Sequence, residues 1–90
     1  MNQERILTNT DIEEILLAVP EGHKHLRTTL KLRTGESLVL QEATVANLVR
    51  AYVTLKTHPQ KESLRLVGRE LAEGERKDGF AGWQLLEEEE

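Results

Sequence analysis

The three histidines are the side chains best suited to metal chemistry: His23 and His25, which flank Lys24, and His58. Zinc sites that lack cysteine take histidine or carboxylate ligands, each oriented by a further hydrogen bond. His23, His25 and His58 could supply such a set, and with it a metal-dependent or acid–base hydrolase. The elements around them argue otherwise. His25 falls on a predicted strand, His23 in the loop before it, and His58 at the end of a predicted helix. There His58 would complement the negative end of the helix dipole. Neither a metal nor another cofactor is expected.

Other catalytic groups are scarcer still. The chain has no cysteine, which excludes thiolate nucleophiles, disulfides and cysteine-ligated metals. Ser37 and Ser63 are its only serines, and neither sits in a glycine-flanked nucleophile elbow. The six glycines are dispersed, and Gly79-Phe80-Ala81-Gly82 is too short for a phosphate-binding loop. Sixteen carboxylates produce neighbours by chance, but no predicted face buries two of them, as general acid–base catalysis requires. The sequence does not read as that of an enzyme.

Charge gives the sharper signal. The formal net charge is −4, but it is unevenly spread. Residues 1–22 and 70–90 are acidic, while residues 23–69 hold nine bases against three acids and all three histidines. Overall acidity argues against non-specific nucleic-acid binding, yet the middle of the chain is locally basic.

The elements must position those bases. Thr10-Asp11-Ile12-Glu13 has the form of a capping box. Ile12, Ile15, Leu16 and Val19 follow at helical spacing until Pro20 and Gly22 end the segment, so a helix is expected over 11–19. From residue 25 the period changes to two. Leu26, Thr28, Leu30 and Leu32 alternate with His25, Arg27, Thr29, Lys31 and Arg33. Leu38 and Leu40 resume the pattern after Gly35, and an odd-length loop centred on Gly35 would set Leu32 opposite Leu38.

A second helix is expected over 44–57, capped by Thr44 and stopped before Pro59, with Val45, Leu48, Val49, Tyr52 and Leu55 facing inward. Alternation returns at Leu64 and Leu66 against Arg65, Val67 and Arg69. Residues 72–79 read as a loop with room for one helical turn, and 80–87 as a last strand. Phe80 and Trp83 are expected to add bulk to an otherwise aliphatic core, in preference to clamping a small molecule.

These elements imply one small α+β domain over residues 1–90 of order αββαββ. Two helices cover one face of a four-stranded, mainly antiparallel sheet, with strand order 2-1-3-4 preferred. Residues 1–9 and the acidic tail 87–90 are expected to be flexible. The chain shows neither a secretory signal nor an apolar run long enough to span a membrane, so a soluble cytoplasmic protein is expected.

On such a sheet His25, Arg27, Lys31, Arg33, Arg65 and Arg69 share the uncovered face. That implies a small accessory or regulatory module binding an anionic partner, either an acidic protein segment or a nucleic-acid backbone. The acidic tail is a candidate competitor for the same face. Charges that merely keep an open sheet face soluble would give the same pattern. An open outer strand also admits a homodimer without any anionic ligand.

Overall fold

The computed structural model describes residues 3–88. It is an α+β fold with one helix and five strands in two antiparallel sheets. The chain divides into two compact units, Met1–Val45 and Ala46–Glu90. No helix among the described residues is long and apolar enough to cross a membrane.

The first unit opens with a one-turn 3-10 helix, Asn9–Asp11. Three strands follow: β1 (Ile12–Ala18), β2 (Arg27–Leu32) and β3 (Ser37–Gln41), in the order β1-β2-β3. Helix α1 (Glu42–Thr57) starts directly after β3 and runs across the boundary between the units. The second unit pairs β4 (Arg65–Glu70) with β5 (Trp83–Glu88) and places a 3-10 turn, Glu73–Glu75, between them.

Several expectations are corrected here. A single four-stranded sheet carrying two helices does not form; the strands divide three and two, and the order 2-1-3-4 is absent. The helix expected over 11–19 is strand β1. Its apolar run fits helical spacing at Ile12, Ile15, Leu16 and Val19, but equally fits alternation, with Ile15 and Leu17 on one face and Leu16 and Ala18 on the other. A short apolar run between turn signals does not separate the two by period alone, and seven residues suit a strand better than a helix. The cap forms two positions earlier than expected, at Thr8 and Asp11 in place of Thr10 and Glu13. The Thr8 N–H donates to Asp11 Oδ2 at 2.9 Å, which closes only one turn before the chain extends. At the other end, Glu87 and Glu88 belong to β5, where they face Lys61 and Arg65; the remainder of the expected tail lies outside the described residues.

The hairpin keeps its faces but changes its partners. Leu30 stands opposite Leu38, and Thr28 opposite Leu40. The Leu32 N–H donates to the Glu36 carbonyl at 2.9 Å, so the loop is Arg33-Thr34-Gly35, odd in length but centred on Thr34. Gly35 takes φ +95° at the last loop position, a left-handed conformation that three-residue hairpin loops need and glycine supplies without strain. Because the shift is two residues, every side chain stays on its expected face.

Burial is concentrated on one sheet face. Leu32 (2% exposed) and Thr28 (6%) are buried there, with Leu26, Leu30 and Leu40 half-buried beside them. In the second unit Leu71 is buried, but Phe80 and Trp83 are exposed and not the core aromatics expected. Helix α1 buries no residue completely: Leu48, Val49, Tyr52 and Val53 are exposed, while Val45 and Leu55 are half-buried.

Thr28 stands between Leu17 and Leu40, and its buried hydroxyl has no hydrogen-bond partner among the described residues. A buried hydroxyl without a partner keeps its desolvation cost and returns nothing for it. Thr28→Val retains the shape, removes that cost and favours a strand. It should stabilise the protein by about 1 kcal/mol, read as a higher midpoint in urea at unchanged slope.

Candidate interaction face

The face of the first sheet opposite Leu32 is set by register. Across β1, β2 and β3 it presents three rows: Glu14, Lys31 and Ser37; Leu16, Thr29 and Val39; and Ala18, Arg27 and Gln41. The central row is apolar and open, with Leu16 51% and Val39 57% exposed. Together with Ala18, Pro20, Arg27 and Thr29, these two residues line an open depression of about 350 Å³. β1 therefore converts what the hairpin alone presents as a basic face into an apolar strip between charged rows.

The six bases singled out in the sequence separate across the two units. Arg27 and Lys31 occupy this face, on either side of the apolar row. Lys31 Nζ lies 3.8 Å from Glu14 Oε1, whereas Arg27 has no carboxylate within ion-pair distance among the described residues. His25 lies in the loop before β2, with Nδ1 3.4 Å from Glu42 Oε1. Glu42 also accepts the Leu26 N–H at 3.0 Å, and that bond, helped by His25, holds its carboxyl below the usual range. Arg33 turns away from the face. Its Nε donates to the Thr10 carbonyl at 2.7 Å, and its backbone N–H to the Asp11 carbonyl at 3.0 Å.

Arg65 and Arg69 belong to the second unit. They share one face of the β4–β5 pair with Val67, as their alternation predicts. Arg65 reaches Glu88 at 3.5 Å. Arg69 makes a two-pronged pair with Glu75, both contacts at 3.0 Å, and the Ala72 N–H donates to the same carboxylate at 2.9 Å. These cations are already engaged within their own sheet.

The histidines have local roles. The His23 N–H closes a turn onto the Pro20 carbonyl. The His58 N–H donates to the Thr54 carbonyl at 3.1 Å, and its Nδ1 lies 2.9 Å from the same oxygen, at the end of α1. Among the described residues no three histidine, aspartate or glutamate side chains are grouped to hold a metal ion.

Leu16, Ala18 and Pro20 are the members of the depression that sequence reading did not assign to this face. Reading residues 15–19 with period two would have found the first two, because Leu16 and Ala18 then share a face. No family model, no curated protein and no solved structure matches this chain.

The Arg69–Glu75 pair yields a pH prediction. Hydrogen bonds from Arg69 and Ala72 pull the Glu75 carboxyl down to about 2 from a usual value of 4.5. A lowered folded-state value means that its stabilising effect is complete above 4.5 and disappears as pH falls towards about 2. Carboxyl NMR titration should place the Glu75 midpoint at about 2, well below 4.5. In Glu75→Gln, the Ala72 amide resonance should shift and the Arg69 side-chain NH signals should exchange faster with solvent.

Proposed function

We propose that the chain is a non-catalytic binding module that takes an acidic, amphipathic protein segment on the β1–β3 face. The observation that carries this reading is the apolar row Leu16, Thr29 and Val39 lying between Arg27 and Lys31. An extended segment laid across the strands would set apolar side chains in the depression beside Leu16 and Val39. Its carboxylates would meet Arg27, the cation that no carboxylate of its own sheet engages, and Lys31 at the opposite side.

A protein segment suits this face better than a nucleic-acid backbone. Phosphate binding gains from many cations that release counterions together. Here two cations flank the apolar row, and Glu14 stands beside one of them. The face also lacks an aromatic side chain on which a base could stack. Apolar contact would supply much of the affinity, and charge would set orientation and partner choice.

NMR shift mapping tests this with two ligands: a peptide alternating Leu and Glu, and a single-stranded DNA oligomer. The peptide should shift the amides of Leu16, Arg27, Thr29 and Val39, and the oligomer should shift them little. Val39→Asp should abolish peptide binding, whereas Arg27→Gln should weaken it roughly fivefold, the worth of about 1 kcal/mol. Equal or stronger response to DNA, or peptide shifts confined to β4 and β5, would overturn the reading.

A further inference from the structure

β1 is an edge strand with the side-chain pattern of a central one. Of the neighbouring strands in its sheet, only β2 is hydrogen-bonded to it. Yet Ile15 and Leu17 are 50% and 55% exposed on one face while Leu16 is open on the other, and residues 15–19 carry neither charge nor proline. Strands that are apolar on both sides are those covered on both faces inside a sheet. Open edges are otherwise blunted by charge, proline or shortness. β3, at the opposite edge, has five residues and turns at once into α1. In the second unit, β4 carries Arg65, Arg69 and Glu70, and β5 ends in Glu87 and Glu88. β1 carries Glu13 and Glu14 only at its start, and its remaining residues, Ile15 to Ala18, have no such protection.

We infer that β1 pairs antiparallel with β1 of a second copy of this chain, about a two-fold axis through Leu16 perpendicular to the sheet. Such an axis keeps each face on its own side, so residues opposite one another must sum to an even number. Centring on Leu17 would set Glu14 against Pro20, which has no N–H to give to the ladder, whereas centring on Leu16 moves Pro20 out to the end of the ladder, opposite Ile12 at the irregular start of β1. Centring on Ile15 would set Ala18 against Ile12, next to the irregularity between Ile12 and Glu14, and would put Glu14 against Leu16. Centring on Leu16 pairs Ile15 with the partner's Leu17 and Leu16 with the partner's Leu16. It brings no two like charges opposite each other.

The same register creates charge complementarity. Ala18 lies beside Arg27 in its own sheet and would lie beside the partner's Glu14 across the axis. Two strand spacings, about 10 Å, separate Arg27 from the partner's Glu14 at the backbone. The intervening side chain is only a methyl group, so the guanidinium can reach over it. Each outer row then reads Arg27, Ala18, the partner's Glu14 and the partner's Lys31, and keeps one net positive charge. The central row becomes Val39, Thr29, Leu16 and their three counterparts. This joins the two proposed peptide-binding faces into one strip, but the pairing itself requires no peptide and is measured without one.

The absence of native cysteine makes the register directly testable. Light scattering on the full chain should give twice the monomer mass. Leu16→Cys should form a disulfide-linked dimer under mild oxidation, because directly opposed Cβ atoms lie about 5 Å apart. Val39→Cys, on the same face but at the far edge, should stay uncrosslinked. Glu14→Lys with Lys31→Glu keeps the pair within the sheet but opposes two cations across the axis, and should weaken association roughly fivefold; adding Arg27→Glu should restore it. A monomeric mass, equal crosslinking of the two cysteine variants, or no response to the charge exchange would overturn the inference. Each of these outcomes is distinct from a failure of peptide binding.

Discussion

The first unit depends on the alternation of β2, which is paired on both sides. Its even-numbered residues, Thr28, Leu30 and Leu32, point to the face on which β2 itself is covered, and its odd-numbered residues, Arg27, Thr29 and Lys31, to the open one. A one-residue slip against either neighbour would exchange these sets and drive Arg27 and Lys31 towards the covered side, at a desolvation cost no surface ion pair offsets. Two local devices hold the register. Gly35 closes the β2–β3 loop in a conformation few other residues tolerate. Arg33, just beyond β2, ties the start of β1 by donating from its side chain to the Thr10 carbonyl and from its backbone to the Asp11 carbonyl. The same residue that the sequence assigns to a binding face thus sets where β1 begins.

Among the described residues, four of the nine bases of the basic middle, and His25 with them, are spent on the chain's own acids. Lys31 meets Glu14, His25 meets Glu42, Lys61 meets Glu87, Arg65 meets Glu88 and Arg69 meets Glu75. These are exposed pairs, and each contributes little stability on its own. Their effect is on direction: Glu42 fixes the Leu26 amide at the entry to β2, and Glu75 fixes Ala72 at the exit from β4. What remains available to a partner is set by subtraction, and on the first sheet that singles out Arg27. Charge segregation along a sequence therefore overstates the charge a surface offers.

Much of this was legible in the residues. Alternation from 25 to 40 located the β2–β3 hairpin and both its faces. The stripe from Val45 to Leu55 located α1 within two residues of its start, and Arg65, Val67 and Arg69 do share a face. β1 was not legible as a strand, because Ile15-Leu16-Leu17-Ala18-Val19 satisfies both periods and Thr10 to Glu13 imitates a helix cap, while the cap that forms joins Thr8 to Asp11 and closes only one turn. The Arg69–Glu75 pair was hidden for another reason: it joins residues across the turn after Leu71, whose geometry no spacing rule supplies. The face was half-read for the same cause as β1, since Leu16 and Ala18, the part of it that β1 supplies, read as helical.

That ambiguity of β1 has a physical source. A sequence with polar residues on its outward face would have declared its period at once. β1 does not beyond Glu14, because from Ile15 onward neither of its faces is written for water. Apolar surface is worth roughly 25 cal/mol per Å² when it is taken out of water. Small domains bury too little of it to spare the exposed flanks of Ile15, Leu16 and Leu17, and association is a common remedy. Covering one face would satisfy Leu16 and leave Ile15 and Leu17 open, while a strand laid along the edge flanks all three and also takes up the unpaired backbone groups. The feature that blurred the period of residues 15–19 is thus the one that makes the edge of β1 the place where a further strand gains most.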